Sequence, residues 1–217
     1  MAIPHDQLTQ APIHLTYRLA GSVPKSKIEQ LRWQRDRQLS LLTERLASFP
    51  EYLRQEEKDK STFKIQGRFE LALENAMHDL QFPGPRYLAE AEVARIVLDS
   101  WGNMQERGLI FVYAVCVMSN HVHVVMRAAN GTDQTPLSDI VRKHKSFTAN
   151  KINKLLKRTG KALWEPKYFD RRVRNGKFNG VMWYVLNNPV TAGLVDNWRE
   201  WPGTYLHPEF ASLFGGK

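Results

Sequence analysis

The chain has 217 residues, of which 42% are hydrophobic, enough to bury the core of one compact domain carrying an insertion. Cys116 is its single cysteine, which excludes internal disulfides and cysteine-based zinc sites and indicates a reducing compartment. No apolar run approaches the roughly 20 residues that span a bilayer, and the N-terminal residues lack the pattern of a signal peptide. We therefore expect a soluble, cytoplasmic protein.

The formal net charge of +9 is concentrated in one part of the chain. Residues 142–177 contain 13 lysines and arginines but only two acidic residues, Glu165 and Asp170, so this stretch carries +11. A local excess of positive charge is typical of a protein that binds a polyanion, because phosphate contacts release counterions. The alternative is a solvated helix face with no partner.

The N-terminal part of the sequence predicts a strand followed by a helical region. Residues 13–19, IHLTYRL, alternate apolar and polar side chains, which indicates the first strand. The charged stretch from Lys25 to about Leu80 has apolar residues at three- and four-residue spacing, and QFPGPRY, residues 81–87, ends it. We predict a helical insertion at about 25–85, whose role as a lid, a dimer surface or a DNA contact the sequence leaves open.

The middle of the chain predicts a helix and a hairpin. Residues 87–108 place apolar side chains at helical spacing, and Gly108 is a plausible C-terminal stop. The runs LIFVYAVCVM and HVHVVMRA, separated by Ser119 and Asn120, indicate two strands joined by a tight turn.

The remaining elements are a basic helix, a strand and a short final helix. The basic helix begins near Ser138 and ends at Gly160, and an extended segment, ALWEPKYFDRRVR, follows it. The segment NGVMWYVLNN predicts a short helix that stops at Pro189. The order of these elements predicts an α+β fold, a split βαβ (ferredoxin-like) antiparallel sheet with helices on one face, a C-terminal helix and the insertion near the N-terminus.

His121 and His123 flank one valine in the second strand of the hairpin. Residues two apart on a strand share a face, so both imidazoles point one way while Val122 and Val124 point the other. The rings, about 7 Å apart, can converge on one divalent ion if both turn inward. Because only the valine face is expected to be core, the histidines need not be buried. A chance pairing among seven histidines is the alternative.

Tyr184 and Asn188 are four residues apart, which places a phenol and an amide on one face of a helix. The alternative is that Tyr184 is a core aromatic and Asn188 caps the helix before Pro189. At this stage neither interpretation is excluded.

Together, VMSNHVHVVM, LWEPKYFDRRVRN and YVLNNPVTAGLV resemble the single-tyrosine HUH transposases, in particular the REP-associated branch. The resemblance covers roughly residues 90–205 and the first strand. It implies that Tyr184 is the nucleophile and that His121, His123 and Asn188 bind a divalent metal, Mg²⁺ or Mn²⁺. Relatives from insertion sequences usually have glutamine as third ligand, so the shorter asparagine leaves Asn187 as a rival to Asn188.

The resemblance also implies a function. It is that of a metal-dependent endonuclease and strand transferase that cleaves single-stranded or hairpin DNA through a 5′-phosphotyrosine intermediate, in a cytoplasmic, nucleoid-associated protein. A catalytically silent nucleic-acid-binding protein on the same scaffold and a metal-dependent phosphodiesterase that uses activated water are the alternatives. Whether the protein is a monomer or a homodimer, and whether Tyr184 acts with the histidines of its own chain, stays open.

The basic helix and the strand after it supply the predicted contacts with DNA phosphates. Trp164, Tyr168 and Phe169 could stack unpaired bases or belong to the core. His144 is predicted to contact phosphate or solvent rather than a metal. The predicted phosphate contacts are Arg142, Lys143, Lys145, Lys151, Lys154, Lys157, Arg158, Arg171, Arg172 and Arg174.

Overall fold

A computed structural model describes residues 7–79, 81–82, 84–131 and 136–215. The chain divides into two compact units. The sheet unit comprises Met1–Ala20 and Pro85–Lys217, and the hairpin unit comprises Gly21–Gly84.

The hairpin unit contains two long helices, α1 (Lys25–Ala47) and α2 (Glu51–His78), within the stretch predicted to be helical. Pro50 immediately precedes α2. A helix tolerates proline at its start but not in its interior, so this proline fits the boundary between α1 and α2. The helices run antiparallel, as shown by an Arg45–Glu57 ion pair at 2.9 Å. Among the residues that the structure describes, no helix is both long enough and apolar enough to cross a bilayer.

In the sheet unit, the described residues form five antiparallel strands, β1 (Ile13–Arg18), β2 (Ile110–Val117), β3 (His121–Ala128), β4 (Phe169–Arg172) and β5 (Thr204–Leu206). Their order in the sheet is β4-β1-β3-β2-β5. The predicted α+β fold is confirmed, and so is the β-hairpin, which has Ser119 and Asn120 at its turn. The three-residue edge strand β5 was not predicted.

The helices of the sheet unit cover both faces of the sheet. The first face, called here the helix face, packs Val122, Val124 and Met126 of β3 against α3 and α4. The second face, called here the histidine face, packs Val125 of β3 against α5. The helices are α3 (Ala91–Glu106), α4 (Leu137–Leu155), α5 (Phe178–Leu186), α6 (Asn188–Thr191) and α7 (Ala211–Phe214).

The expectation that only the valine face of β3 is core is wrong. Met182, Val185 and Leu186 of α5 form a second apolar cluster on the histidine face, together with β2 and β3. His121 and His123 lie beside this cluster on the same face of β3, and both are 0% exposed. The alternation of β3 therefore separates two buried environments, with apolar β3 side chains on the helix face and the two β3 histidines on the histidine face.

Candidate active site

The His121 and His123 rings converge on the histidine face. Their centroids are 4.8 Å apart with an interplanar angle of 85°, closer than the roughly 7 Å between residues two apart on a strand. The two side chains therefore incline toward each other, as binding of a single ion by both rings would require.

Hydrogen bonds orient both histidine rings. Asn120 Oδ1 lies 2.7 Å from His121 Nδ1. Because an amide oxygen only accepts, His121 Nδ1 donates, and in the neutral ring Nε2 then carries the lone pair. In β1, the Thr16 hydroxyl and His14 Nε2 each lie 3.1 Å from His123 Nδ1. In both rings, Nδ1 is held by the protein and Nε2 is the nitrogen suited to a metal.

Tyr184 and Asn188 come from consecutive helices. The helix ends at Leu186, earlier than the predicted stop at Pro189, and a short helix restarts at Asn188. Helical spacing continues across the junction, because the Asn187 amide donates to the Trp183 carbonyl at 2.9 Å. Tyr184 and Asn188 therefore stay about one turn apart, and both reach the histidine pair.

Asn188 is the asparagine that meets the histidines. Its side chain is 4% exposed, and its Nδ2 lies 3.3 Å from His123 Nε2. Asn187, half-buried, occupies the junction between α5 and α6. This geometry favours Asn188 over Asn187 as the third donor.

The Tyr184 ring packs near-perpendicular to two imidazoles. Its centroid lies 5.7 Å from that of His123 and 5.7 Å from that of His14. The Tyr184 side chain is 41% exposed, so it contacts the buried His123 and the half-buried His14 and is open to solvent as well. A ligand can therefore reach Tyr184 without a rearrangement of the core.

His14 and Thr16 were missed as members of this cluster. They are the polar positions in the alternating pattern of β1, and β1 pairs with β3 so that Thr16 faces His123. The alternation was a usable signal that they share a face. Which strand they would lie beside depends on sheet order, which a single sequence does not give.

The predicted phosphate contacts lie on α4, on the turns after it, on β4 and, for Arg174, just after β4. Lys145 differs from the others, because its Nζ donates to the carbonyl oxygens of Glu165, Pro166 and Lys167 at 2.9 to 3.4 Å. Burial lowers the pKa of the Lys145 ammonium to about 8. This lysine ties α4 to the segment before β4. Arg142, Lys143, Lys151, Lys154, Lys157, Arg172 and Arg174 are exposed, and Arg158 and Arg171 are half-buried.

The prediction that His144 contacts phosphate or solvent is wrong. The ring is 0% exposed, and it bonds the Tyr17 hydroxyl at 2.6 Å and the Ser100 hydroxyl at 2.9 Å. It also stacks on Trp101 at 3.9 Å between centroids, and burial holds its pKa well below the usual value. Trp164 is also a core residue, which donates to Thr148 at 2.9 Å. Both side chains support the helix face.

An antiparallel split-βαβ sheet with paired histidines beside a tyrosine-bearing helix is the arrangement implied by the resemblance to single-tyrosine transposases. Residues 86–188 match the model of the family described as "Transposase IS200 like". The family resemblance inferred from the sequence is confirmed over this segment, which contains His121, His123, Tyr184 and Asn188.

Among solved structures, the chain is similar to a REP-associated tyrosine transposase bound to a REP hairpin. The two share 12% sequence identity with a TM-score of 0.49, over 99% of this chain and 87% of the other. A search of curated proteins finds no match.

Proposed function

We propose that the protein is a metal-dependent endonuclease and strand transferase that cleaves single-stranded or hairpin DNA through a 5′-phosphotyrosine intermediate. One observation carries this proposal: Tyr184, open to solvent, packs against His123, which in turn meets His121 and Asn188. A nucleophile beside a group of metal donors is what such a reaction requires. The family match of residues 86–188 supports a transposase.

The donor set fits a divalent ion. His121 and His123 offer Nε2 atoms, and Asn188 offers Oδ1 once its amide turns by half a rotation from the orientation that bonds His123. Two imidazole nitrogens and an amide oxygen leave coordination positions for phosphate oxygens, a mixed set compatible with Mn²⁺ or Mg²⁺. A bound ion would polarise the scissile phosphoryl group and neutralise charge that develops on it.

In the proposed step, the Tyr184 oxygen attacks the scissile phosphorus. A phosphorus–oxygen bond to Tyr184 forms while the bond to the 3′-oxygen breaks. The departing 3′-oxygen takes up a proton, balancing the one lost by the phenol, so the products are a 5′-phosphotyrosine and a free 3′-hydroxyl. Because the link is still a phosphodiester, the 3′-hydroxyl of another strand can reverse the reaction and join the two DNA segments. The His14 and His123 rings hold the tyrosine ring in place.

The reaction can be tested with the wild-type chain and a labelled DNA hairpin carrying single-stranded flanks. In Mn²⁺ or Mg²⁺, we expect an adduct that survives denaturation, with mass spectrometry locating the phosphodiester on Tyr184. Cleaved DNA ends with no attached protein would show a water-using phosphodiesterase instead. DNA binding that survives chelation, without cleavage in any divalent ion, would show a silent binding protein.

Asn120 is expected to act through His121 rather than by touching the substrate. In Asn120→Ala, the acceptor that orients His121 is lost, and we expect Mn²⁺ affinity to fall by about 10- to 100-fold. Titration calorimetry without DNA measures this directly. Asn120→Asp, which keeps an acceptor oxygen, should retain most of the affinity, and the exposed Asn150→Ala serves as the control. Unchanged Mn²⁺ affinity in Asn120→Ala would show that Asn120 does not position the ligand.

A further inference from the structure

Phe147 lies on the outer surface of α4 instead of in the core. Its side chain is 49% exposed, whereas Ile140, Val141 and Ile152 of the same helix are buried. Phe147 follows Ile140 by seven residues, so it lies about 20° beyond Ile140 around the helix, at the solvent edge of the buried stripe. The exposed part of the ring is apolar area that a bound ligand would bury favourably.

The surroundings of the ring are cationic. Lys143 and Lys151 lie one turn before and one turn after Phe147 on the same row of the helix, and both are exposed. At a rise of 1.5 Å per residue, each is about 6 Å from Phe147 along the helix axis. The Lys151 ammonium lies 5.8 Å from the centre of the ring. Lys154, seven residues after Phe147 and also exposed, lies on the same side of the helix and adds to the positive charge.

This combination favours one class of ligand. The core of a protein–protein interface is depleted in lysine, so a protein partner does not explain a phenylalanine set between lysines. A nucleic acid supplies both complements, phosphates for the cations and a flat apolar base for the ring. The bases of a duplex already stack on one another, whereas an unpaired base has a face to offer.

We propose that Phe147 stacks on an unpaired base of the DNA while Lys143 and Lys151 contact the flanking phosphates. This proposal rests on the proposed function in taking DNA as the ligand. The contact is separate from the active site, because α4 packs on the helix face of the sheet while Tyr184 and the histidine pair lie at the histidine face. It is a binding site for single-stranded or loop nucleotides.

The test compares DNA affinity in the presence of EDTA, so that binding is measured without cleavage. The ligands are a hairpin with single-stranded flanks and a fully paired duplex of the same length. Phe147→Ala should bind the hairpin about 5- to 100-fold more weakly and the duplex unchanged. Phe147→Leu, which keeps the apolar bulk but has no aromatic face, should show a similar loss. Phe147→Trp should retain affinity, and its indole fluorescence should be quenched by the single-stranded ligand.

Leu155→Ala is the matched control, because Leu155 is exposed on the same row of the helix but is not aromatic. Its affinity should stay within about twofold of wild type. In Lys143→Ala and Lys151→Ala, binding should weaken for hairpin and duplex alike, and the salt slope should fall by about one for each lysine. This pattern separates the stacking contact from the phosphate contacts.

Wild-type affinity of Phe147→Ala for the hairpin, or an equal loss for hairpin and duplex, would overturn the stacking site. Loss of hairpin binding in Phe147→Ala, combined with a wild-type chain that forms no adduct, would leave the stacking site standing and remove the strand-transfer reaction. An adduct in the wild type, combined with wild-type hairpin binding by Phe147→Ala, would support the strand-transfer reaction and remove the stacking site.

Discussion

Replacing Tyr184 by phenylalanine is expected to abolish the covalent protein–DNA adduct and to lower strand cleavage and joining by at least about 10³-fold. The substitution removes only the hydroxyl oxygen, and without that oxygen no phosphotyrosine can form. The ring contacts with His14 and His123 are kept, so the fold and DNA affinity should not change. A denaturing gel of protein incubated with labelled hairpin and Mn²⁺ measures the adduct.

Tyr52→Phe is the control for this experiment, because Tyr52 on α2 is 82% exposed, more than the 41% of Tyr184, but lies outside the histidine cluster. It should form the adduct at the wild-type level. An adduct of normal yield in Tyr184→Phe would identify another nucleophile and disprove the proposed step.

In His123→Ala, metal-dependent cleavage is expected to fall by at least about 10²-fold, because a bound ion contributes several kcal/mol to the stability of the transition state. His123 is the centre of the cluster. It bonds to His14, Thr16 and Asn188 and packs against the rings of His121 and Tyr184. Its loss should therefore remove a ligand and loosen the positions of the other donors. Cleavage rate at saturating DNA, measured over a range of Mn²⁺ concentrations, tests this.

The wild-type chain in EDTA gives the matched comparison. It should reproduce the defect of His123→Ala, and EDTA should have no further effect on the variant. Hairpin binding in EDTA should be the same for both proteins, since the cations proposed to hold DNA lie on α4 and β4 and on the segments that follow them, outside the histidine cluster. A His123→Ala variant that cleaves like wild type in Mn²⁺ would show that this histidine is not a ligand. Thermal unfolding of the variant checks that the buried substitution leaves the fold intact.

The parts of the fold that were predicted are those with a strong local pattern. β3 alternates apolar residues with histidines, and the charged helical stretch of the hairpin unit repeats at three and four residues, so both were found from the sequence. β5 is three residues long and follows a proline and a glycine, which gives too short a pattern to recognise.

The parts that were missed depend on which elements become neighbours. The burial of the histidines follows from the packing of α5 against β3, and the role of His14 follows from the pairing of β1 with β3. His144 and Lys145 are adjacent in a basic helix and looked alike as surface residues. One fits between Tyr17 and Trp101, and the other reaches three carbonyl groups of a distant loop. The charge of the neighbouring residues in the sequence does not distinguish a core position from a contact with a distant loop.

The placement of α4 and α5 on opposite faces of the sheet sets a minimum length for a DNA strand bound at both proposed sites. A DNA strand that contacts both Phe147 and Tyr184 must pass from one side of the sheet to the other, a path of about 20 Å past the thickness of α4 and of the sheet. The β4 edge offers a route, because Arg171 pairs with His14 on the histidine face while Arg172 pairs with Ile13 on the helix face. Oligonucleotides too short to pass around this edge would contact either Phe147 or Tyr184, but not both at once. Target choice could then evolve by substitutions on α4 while the reacting groups stay unchanged.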